Sequence, residues 1–263
     1  MITIKEYVKP NSVAEAYSLL TTGENPAVIG GGFFLRLASR KIGTAIDLSK
    51  AGLDYIRETD NTIEIGVMAS FRQLEQEPIL QQNLDGLIPA TLANLPGVQI
   101  KNMVSVGGTV WGRYGFSELI TCLMVLDCRV QLYKNGILAL PDFLAAGSIK
   151  DVLEKVILAK EPLRASYKAF RNSSGSLPIL CTAVSKNTAG YKIAVGGRAG
   201  VAALATKAME YLNNQPLTPE AAEKAADLAA TELEFTNDRR ASAEYRRQLC
   251  RVLVKRTLME VQP

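Results

Sequence analysis

Hydrophobic positions along this chain recur at helical spacing in some stretches and at every second residue in others, and the changes between them mark the elements. The first 50 residues read as helix, strand, loop, helix, strand. Ser12 and Glu15 fit a capping box at the start of "VAEAYSLL", "PAVIG" is a short buried strand, a second helix lies near residues 34–40, and "TAIDL" is the next strand. That is a small β-α-β unit. From about residue 55 to 160 the pattern changes. "NTIEIGVM" alternates like a half-buried strand, Ser70 and Gln73 cap a short helix, and "LDGLIPATLANL" is amphipathic. A glycine-rich stretch follows, and then "SELITCLMVLDC", apolar at helical spacing. "RVQLYKNGILAL" is a hairpin turning at Asn135-Gly136, and "DVLEKVIL" adds one more strand.

Strands precede helices in the remainder. "RASYKAFR", "LPILCTAVS" and "YKIAVGG" pair as three strands, with Asn187 to Gly190 as a turn. The helices are "VAALATKAMEYL", then "PEAAEKAADLAATEL" capped by Thr218 with Pro219 at its first position, then "AEYRRQLCRVLVKRTLMEV" capped by Ser242. In the last helix Tyr245, Leu249, Val252 and Leu253 share an apolar face, with Arg246, Arg247, Arg251 and Lys255 largely off it. The chain divides into segments 1–54, 55–160 and 161–263, an α+β organisation.

Composition narrows the chemistry. The 263 residues are 48% hydrophobic, enough for a full core. No run of about 18 apolar residues and no signal-like N-terminus is present, so the expected setting is cytoplasmic without a membrane span. Thirty basic against 26 acidic residues is close to balance, and nucleic acid is not implied. Cys122, Cys128, Cys181 and Cys250 are scattered without a C-x-x-C pair, and the first two fall in a helical apolar pattern that suits small buried thiols. A protein-held metal or iron–sulfur site is not expected. Histidine is absent altogether, which removes His-based acid/base chemistry and Ser-His-Asp triads. An enzyme built this way needs a bound cofactor to carry the reaction.

Two glycine clusters are the candidates for holding one. Gly30, Gly31 and Gly32 lie between a strand and a helix start, where bare backbone can turn N–H groups toward phosphate oxygens, although a tight turn without ligand has the same composition. Phe34 and Leu35 follow, so the pattern is not G-x-G-x-x-G. The second cluster, "LPGVQIKNMVSVGGTVWGRYGFSEL" at residues 95–119, groups Gly107, Gly108, Gly112 and Gly115 with hydroxyls, an arginine and a carboxylate. Ser105 and Thr109 can donate to phosphate oxygens, and Glu118 can accept from a ribose diol. Singly, each is also an ordinary turn or first-turn residue. Two such loops in one chain suit a long ligand such as a dinucleotide.

Together, "VIGGGFFL", "QIKNMVSVGGTVWGRYGFSELITCLMVLD" and "SAEYRRQLCRVLVKRTL" resemble the FAD-binding medium subunit of molybdenum hydroxylases, the xanthine dehydrogenase and carbon monoxide dehydrogenase flavoprotein family. The resemblance runs over essentially the whole chain. It implies two small α/β FAD-binding subdomains of vanillyl-alcohol-oxidase type and a C-terminal domain of three antiparallel strands with three helices. It also implies that Val28, Ile29, Gly30, Gly31, Gly32, Phe33, Phe34 and Leu35 wrap the FAD diphosphate, with Ser105, Val106, Gly107, Gly108 and Thr109 as the second diphosphate loop. Glu118 stands at the ribose position, and Leu95, Leu153 and Arg171 border the cofactor.

The implied activity is oxidoreductase electron relay. A molybdopterin-binding large subunit would hydroxylate the substrate, a small subunit would pass electrons through [2Fe–2S] clusters, and this chain's FAD would hand them to NAD+ or another acceptor. No catalytic residue and no metal ligand is expected here. Departures from the family pattern bear on the cofactor. Phe33 and Phe34 replace a polar pair, Thr109 replaces an asparagine, and "RNSSGSLPIL" lacks the aspartate of the usual R-x-x-D-x-A. Two lost bonds to a charged group are worth about 3–6 kcal/mol unless offset, with Arg36 or Arg113 as candidates to offset them. A chain that has lost flavin binding and serves as a scaffold in the same complex is the alternative. A free-standing FAD oxidase is disfavoured by the missing histidines.

Overall fold

The computed structural model describes residues 1–262. In chain order the strands are β1 (Thr3–Val8), β2 (Ala27–Ile29), β3 (Lys41–Asp47), β4 (Ile56–Glu58), β5 (Thr62–Gly66), β6 (Cys128–Leu132), β7 (Gly136–Ala139), β8 (Leu153–Ala159), β9 (Arg164–Phe170), β10 (Leu180–Asn187), β11 (Gly190–Gly196) and β12 (Ala203–Leu204). The helices are α1 (Val13–Thr22), α2 (Phe71–Gln76), α3 (Pro78–Gln82), α4 (Leu87–Ala93), α5 (Val98–Met103), α6 (Val106–Gly112), α7 (Glu118–Leu123), α8 (Leu140–Ala145), α9 (Thr206–Asn213), α10 (Pro219–Glu232) and α11 (Ala243–Glu260). No helix among the described residues is long and apolar enough to cross a membrane. The chain forms two compact units: Met1–Leu74 with Gly97–Gly112 and Cys128–Leu158, and Glu75–Pro96 with Arg113–Asp127 and Ala159–Pro263.

Two sheets build the first unit. β3 lies between β1 and β2, all parallel, and its Ile42 and Ala45 pack with Ala27, Ile29 and Leu35. Because Ile29 and Leu35 bracket the first glycine cluster, that loop is anchored to the core at both ends. β1 is a strand that the pattern did not reveal: it is an edge strand exposed along nearly its whole length, so its alternation has no buried face to report. The helix expected at 34–40 is a single 3-10 turn, Leu35–Leu37. The second sheet has the order β4, β5, β8, β6, β7. Cys128 heads β6 instead of continuing a helix, because α7 ends at Leu123 and a turn intervenes. The hairpin turns at Asn135-Gly136, where Gly136 has φ +70°. Its N–H groups converge on buried Asp151, which accepts from the backbone of Lys134 and Asn135 and from the Asn135 side chain.

In the second unit an antiparallel sheet ordered β12, β11, β10, β9 carries α9, α10 and α11. The two-residue strand β12 lengthens the three expected strands to four and shortens the expected start of α9 to Thr206. Thr218 caps α10 by accepting from Ala221 N–H, and Pro219 fills the first turn, where a missing N–H costs nothing. Alanines 221, 222, 225, 226, 229 and 230 form the buried stripe that lets α10 lie close to its neighbours.

The α11 face differs from the expected one. Arg246 is only 2% exposed, whereas Tyr245 and Val252 are exposed. The buried face is Arg246, Cys250, Leu253, Val254, Thr257 and Leu258. The reason is that Arg246 has acceptors to go to: the carbonyls of Ile179 and Gly197, each 2.5 Å from Nη1, and Asp238, 2.5 Å from Nη2. A paired guanidinium with carbonyl acceptors tolerates burial that an unpaired one does not.

Candidate functional site

In the first unit the two glycine clusters meet. Ser105 is the junction: its Oγ accepts from Gly31 N–H at 3.1 Å and from Gly108 N–H at 3.2 Å. A hydroxyl has two lone pairs and one proton. Both lone pairs are therefore used within the loops, while the O–H proton of this buried serine has no acceptor among the described residues.

Close approach explains most of the glycines. A Cβ on Gly31 would land on the Met103 carbonyl, 2.7 Å from its carbon and nearer still to its oxygen. One on Gly107 would sit 2.6 Å from Val67 Cβ, and one on Gly30 would strike the Ser105 hydroxyl. Gly32 is different. Its φ of +71° is the constraint, and the space beside it is nearly open.

The backbone donors divide sharply. Val106 N–H goes to Ala69 O and Gly107 N–H to Val67 O, so the second loop spends its donors on the end of β5 and the turn after it. Gly32 and Phe33 N–H find no acceptor among the described residues. Among the described residues, the backbone donors of these loops without an acceptor thus lie in the Gly32–Phe33 turn. These groups fit an anion: N–H and O–H donors without an acceptor among the described residues, and a left-handed glycine. Phe33 and Phe34 are half-buried and pack edge to face at 5.1 Å. Val28 is exposed on β2, whereas Ser105, Val106, Thr109 and Leu153 are all buried.

In the second unit Glu118 opens α7 after the Ser117 cap and is 4% exposed. Its Oε2 accepts from Tyr167 Oη at 2.5 Å and from Arg171 Nη2, while Oε1 is buried with no donor. Arg171 also donates to Ser176 O at 2.9 Å, which closes the "RNSSGS" turn. Burial lowers the Arg171 pKa, but the Glu118 carboxylate outweighs it and the net direction is up. Burial first, and then the neighbouring Cys181 and Glu118, push the Tyr167 hydroxyl well above its ordinary value, so it stays a neutral donor. Tyr167 is not among the expected residues, and its strand, β9, shows no buried and exposed alternation that singles it out. Leu95 is half-buried after α4. Arg113 holds a left-handed φ of +48°, and Tyr114 stacks on Phe116 at 5.3 Å. Burial pushes the Cys122, Cys181 and Cys250 thiols up to about 12, which leaves them inert near neutrality.

Residues 3–160 match the model of the FAD binding domain in molybdopterin dehydrogenase, and residues 165–261 that of the CO dehydrogenase flavoprotein C-terminal domain. The chain belongs to this flavoprotein family, and FAD is the cofactor of its domain. It is 27% identical to the nicotine 6-hydroxylase medium subunit of Paenarthrobacter nicotinovorans, covering 97% of this chain and 96% of that one. It is 28% identical to the carbon monoxide dehydrogenase medium chain of Hydrogenophaga pseudoflava, covering 96% and 95%. A solved carbon monoxide dehydrogenase from Hydrogenophaga pseudoflava superposes with a TM-score of 0.93 over 99% of this chain and 98% of that one, at 24% identity. The chain is therefore an oxidoreductase subunit of the medium-chain type.

Proposed function

We propose that this chain is the electron-relay subunit of a molybdopterin-dependent hydroxylase, taking electrons from the [2Fe–2S] clusters of a small subunit and passing them to NAD+ or another acceptor. The observation that carries the reading is the junction at Ser105, which joins two glycine loops into one anion-binding surface and leaves the Gly32 and Phe33 N–H groups and its own proton as donors. Bound FAD supplies the exchange between one-electron and two-electron transfer, for which the chain needs no acid, base or nucleophile of its own.

The protein's contribution is binding and orientation. Gly32 and Phe33 donate backbone N–H groups, Ser105 donates its hydroxyl, and Leu35 and Ile29 keep the turn seated on the sheet. Glu118 Oε1, a buried acceptor without a donor, suits the ribose hydroxyl that the family resemblance assigns to it, with Tyr167 and Arg171 fixing the carboxylate. Relatives named as a medium subunit and a medium chain support a multi-subunit complex, in which this reading places a molybdopterin-binding large chain and a [2Fe–2S] small chain in a cytoplasmic setting.

Anaerobic mixing tests the relay. The FAD-loaded chain, combined with its reduced [2Fe–2S] partner subunit, is expected to lose its visible flavin absorption and to regain it on adding NAD+ or another acceptor. Bound flavin that stays oxidised would contradict the relay, whereas a chain that takes up no FAD yet forms a stable complex with the partner would favour a scaffold, a role the replacement of the polar pair by Phe33 and Phe34 would suit.

A further inference from the structure

We propose that Arg36 is the counter-charge for the FAD diphosphate in this chain, standing in for the side-chain donors that Phe33 and Phe34 do not provide. The inference rests on the flavin-binding reading above. Arg36 is fastened to the glycine turn twice. Its backbone N–H donates to Gly32 O at 3.2 Å, and its Nε donates to Phe33 O at 3.2 Å. The guanidinium also lies over the Phe33 ring, 4.7 Å from the centroid. A phenylalanine in place of a polar residue thus removes a hydrogen-bond donor and supplies a π face that holds a cation beside the same turn.

With Nε committed to the loop, the two Nη groups remain. Arg36 is exposed and has no carboxylate partner among the described residues, so its charge is not neutralised within the protein. A guanidinium held by a ring and a carbonyl loses less freedom on meeting a phosphate than a free arginine does, and its planar fork matches two phosphate oxygens at once. The adjacent N–H groups of Gly32 and Phe33, which have no acceptor among the described residues, point to an anion as the chemistry that completes this turn.

Titration of the full chain with FAD, followed by quenching of flavin fluorescence, tests the assignment on wild type, Arg36→Met and Arg36→Lys at several salt concentrations. The expected result is an affinity about tenfold to hundredfold lower for Arg36→Met, with a flatter salt dependence, partial recovery in Arg36→Lys, and an unchanged unfolding midpoint without flavin. Equal affinity and salt dependence in wild type and Arg36→Met would overturn the role of Arg36 while leaving the flavin reading intact. A fall in affinity with unchanged salt dependence would overturn it too, because the loss would then not be electrostatic. Failure of the wild type to bind FAD would overturn both.

Discussion

Gly31→Ala is expected to abolish measurable FAD binding and to destabilise the chain by about 3 kcal/mol, the upper range for an overpacked site. The added methyl would fall on the Met103 carbonyl, a backbone group that cannot rotate away as a flexible side chain could. Relief requires the first loop to move off the second, which also breaks the Gly31 N–H bond to Ser105. Flavin affinity should fall at least roughly a hundredfold, since two charged hydrogen bonds are worth about 3–6 kcal/mol. Two other glycines calibrate the effect. Gly32→Ala meets almost open space and suffers only its φ of +71°, a penalty of about 1–2 kcal/mol. Gly52→Ala has the same φ in an exposed turn with nothing nearby, and should show that penalty while binding FAD normally. Denaturant unfolding and flavin content of the three purified variants check the order. Equal flavin content in Gly31→Ala and Gly52→Ala would contradict it.

Arg246→Met should be the most damaging change in the second unit, lowering stability by about 3–4 kcal/mol. The methionine fills part of the volume but leaves the Ile179 and Gly197 carbonyls and Asp238 without their shared donor. The same variant changes the response to acid. Burial raises the Asp238 carboxyl pKa, but hydrogen bonds from Arg240 and Arg246 outweigh it and hold it well below the usual carboxylate range. A carboxyl lowered in the folded state contributes stability that is fully present above its unfolded pKa of about 3.9 and is lost as pH falls through the folded value. Wild type should therefore lose stability below about pH 4, and Arg246→Met should lose less over the same interval because part of that contribution is already gone. Denaturation midpoints compared at neutral and acidic pH read both effects. Parallel pH curves for the two proteins would show that Asp238 does not report on Arg246.

Local signals in the sequence mapped well onto the structure where a single residue does a single local job. Ser70 and Gln73 form a reciprocal capping box, with Ser70 N–H on Gln73 Oε1 at 2.6 Å and Gln73 N–H on Ser70 Oγ at 3.2 Å. Ser12, Thr218 and Ser242 cap as expected, and Asn135-Gly136 turns the hairpin. What escaped depends on contacts between distant segments. β1 has no buried face, so its strand pairing with β3 is invisible in its own pattern. Arg246 looks like a solvated charge until residues far away in sequence supply its acceptors.

The glycine clusters were legible as clusters, but their purposes were not. Gly30, Gly31 and Gly107 exist to let backbones approach, which only the partner segments Met103–Ser105 and Val67 reveal. Gly32 alone is the conformational glycine of the first loop. The distribution of donors is likewise a tertiary fact. Gly107 N–H belongs to Val67 and Gly108 N–H to Ser105, so the second loop shapes the surface while the first presents the free N–H groups.

Amide chemical shifts followed during titration with FAD report which N–H groups meet the cofactor. The largest shifts are expected on Gly32 and Phe33, with Ser105 and Gly108 following, while the Val106 and Gly107 amides, already bonded to the backbone, change least within the two loops. FAD binding that leaves Gly32 and Phe33 unmoved while other segments shift would rule out the glycine turn as the anion site.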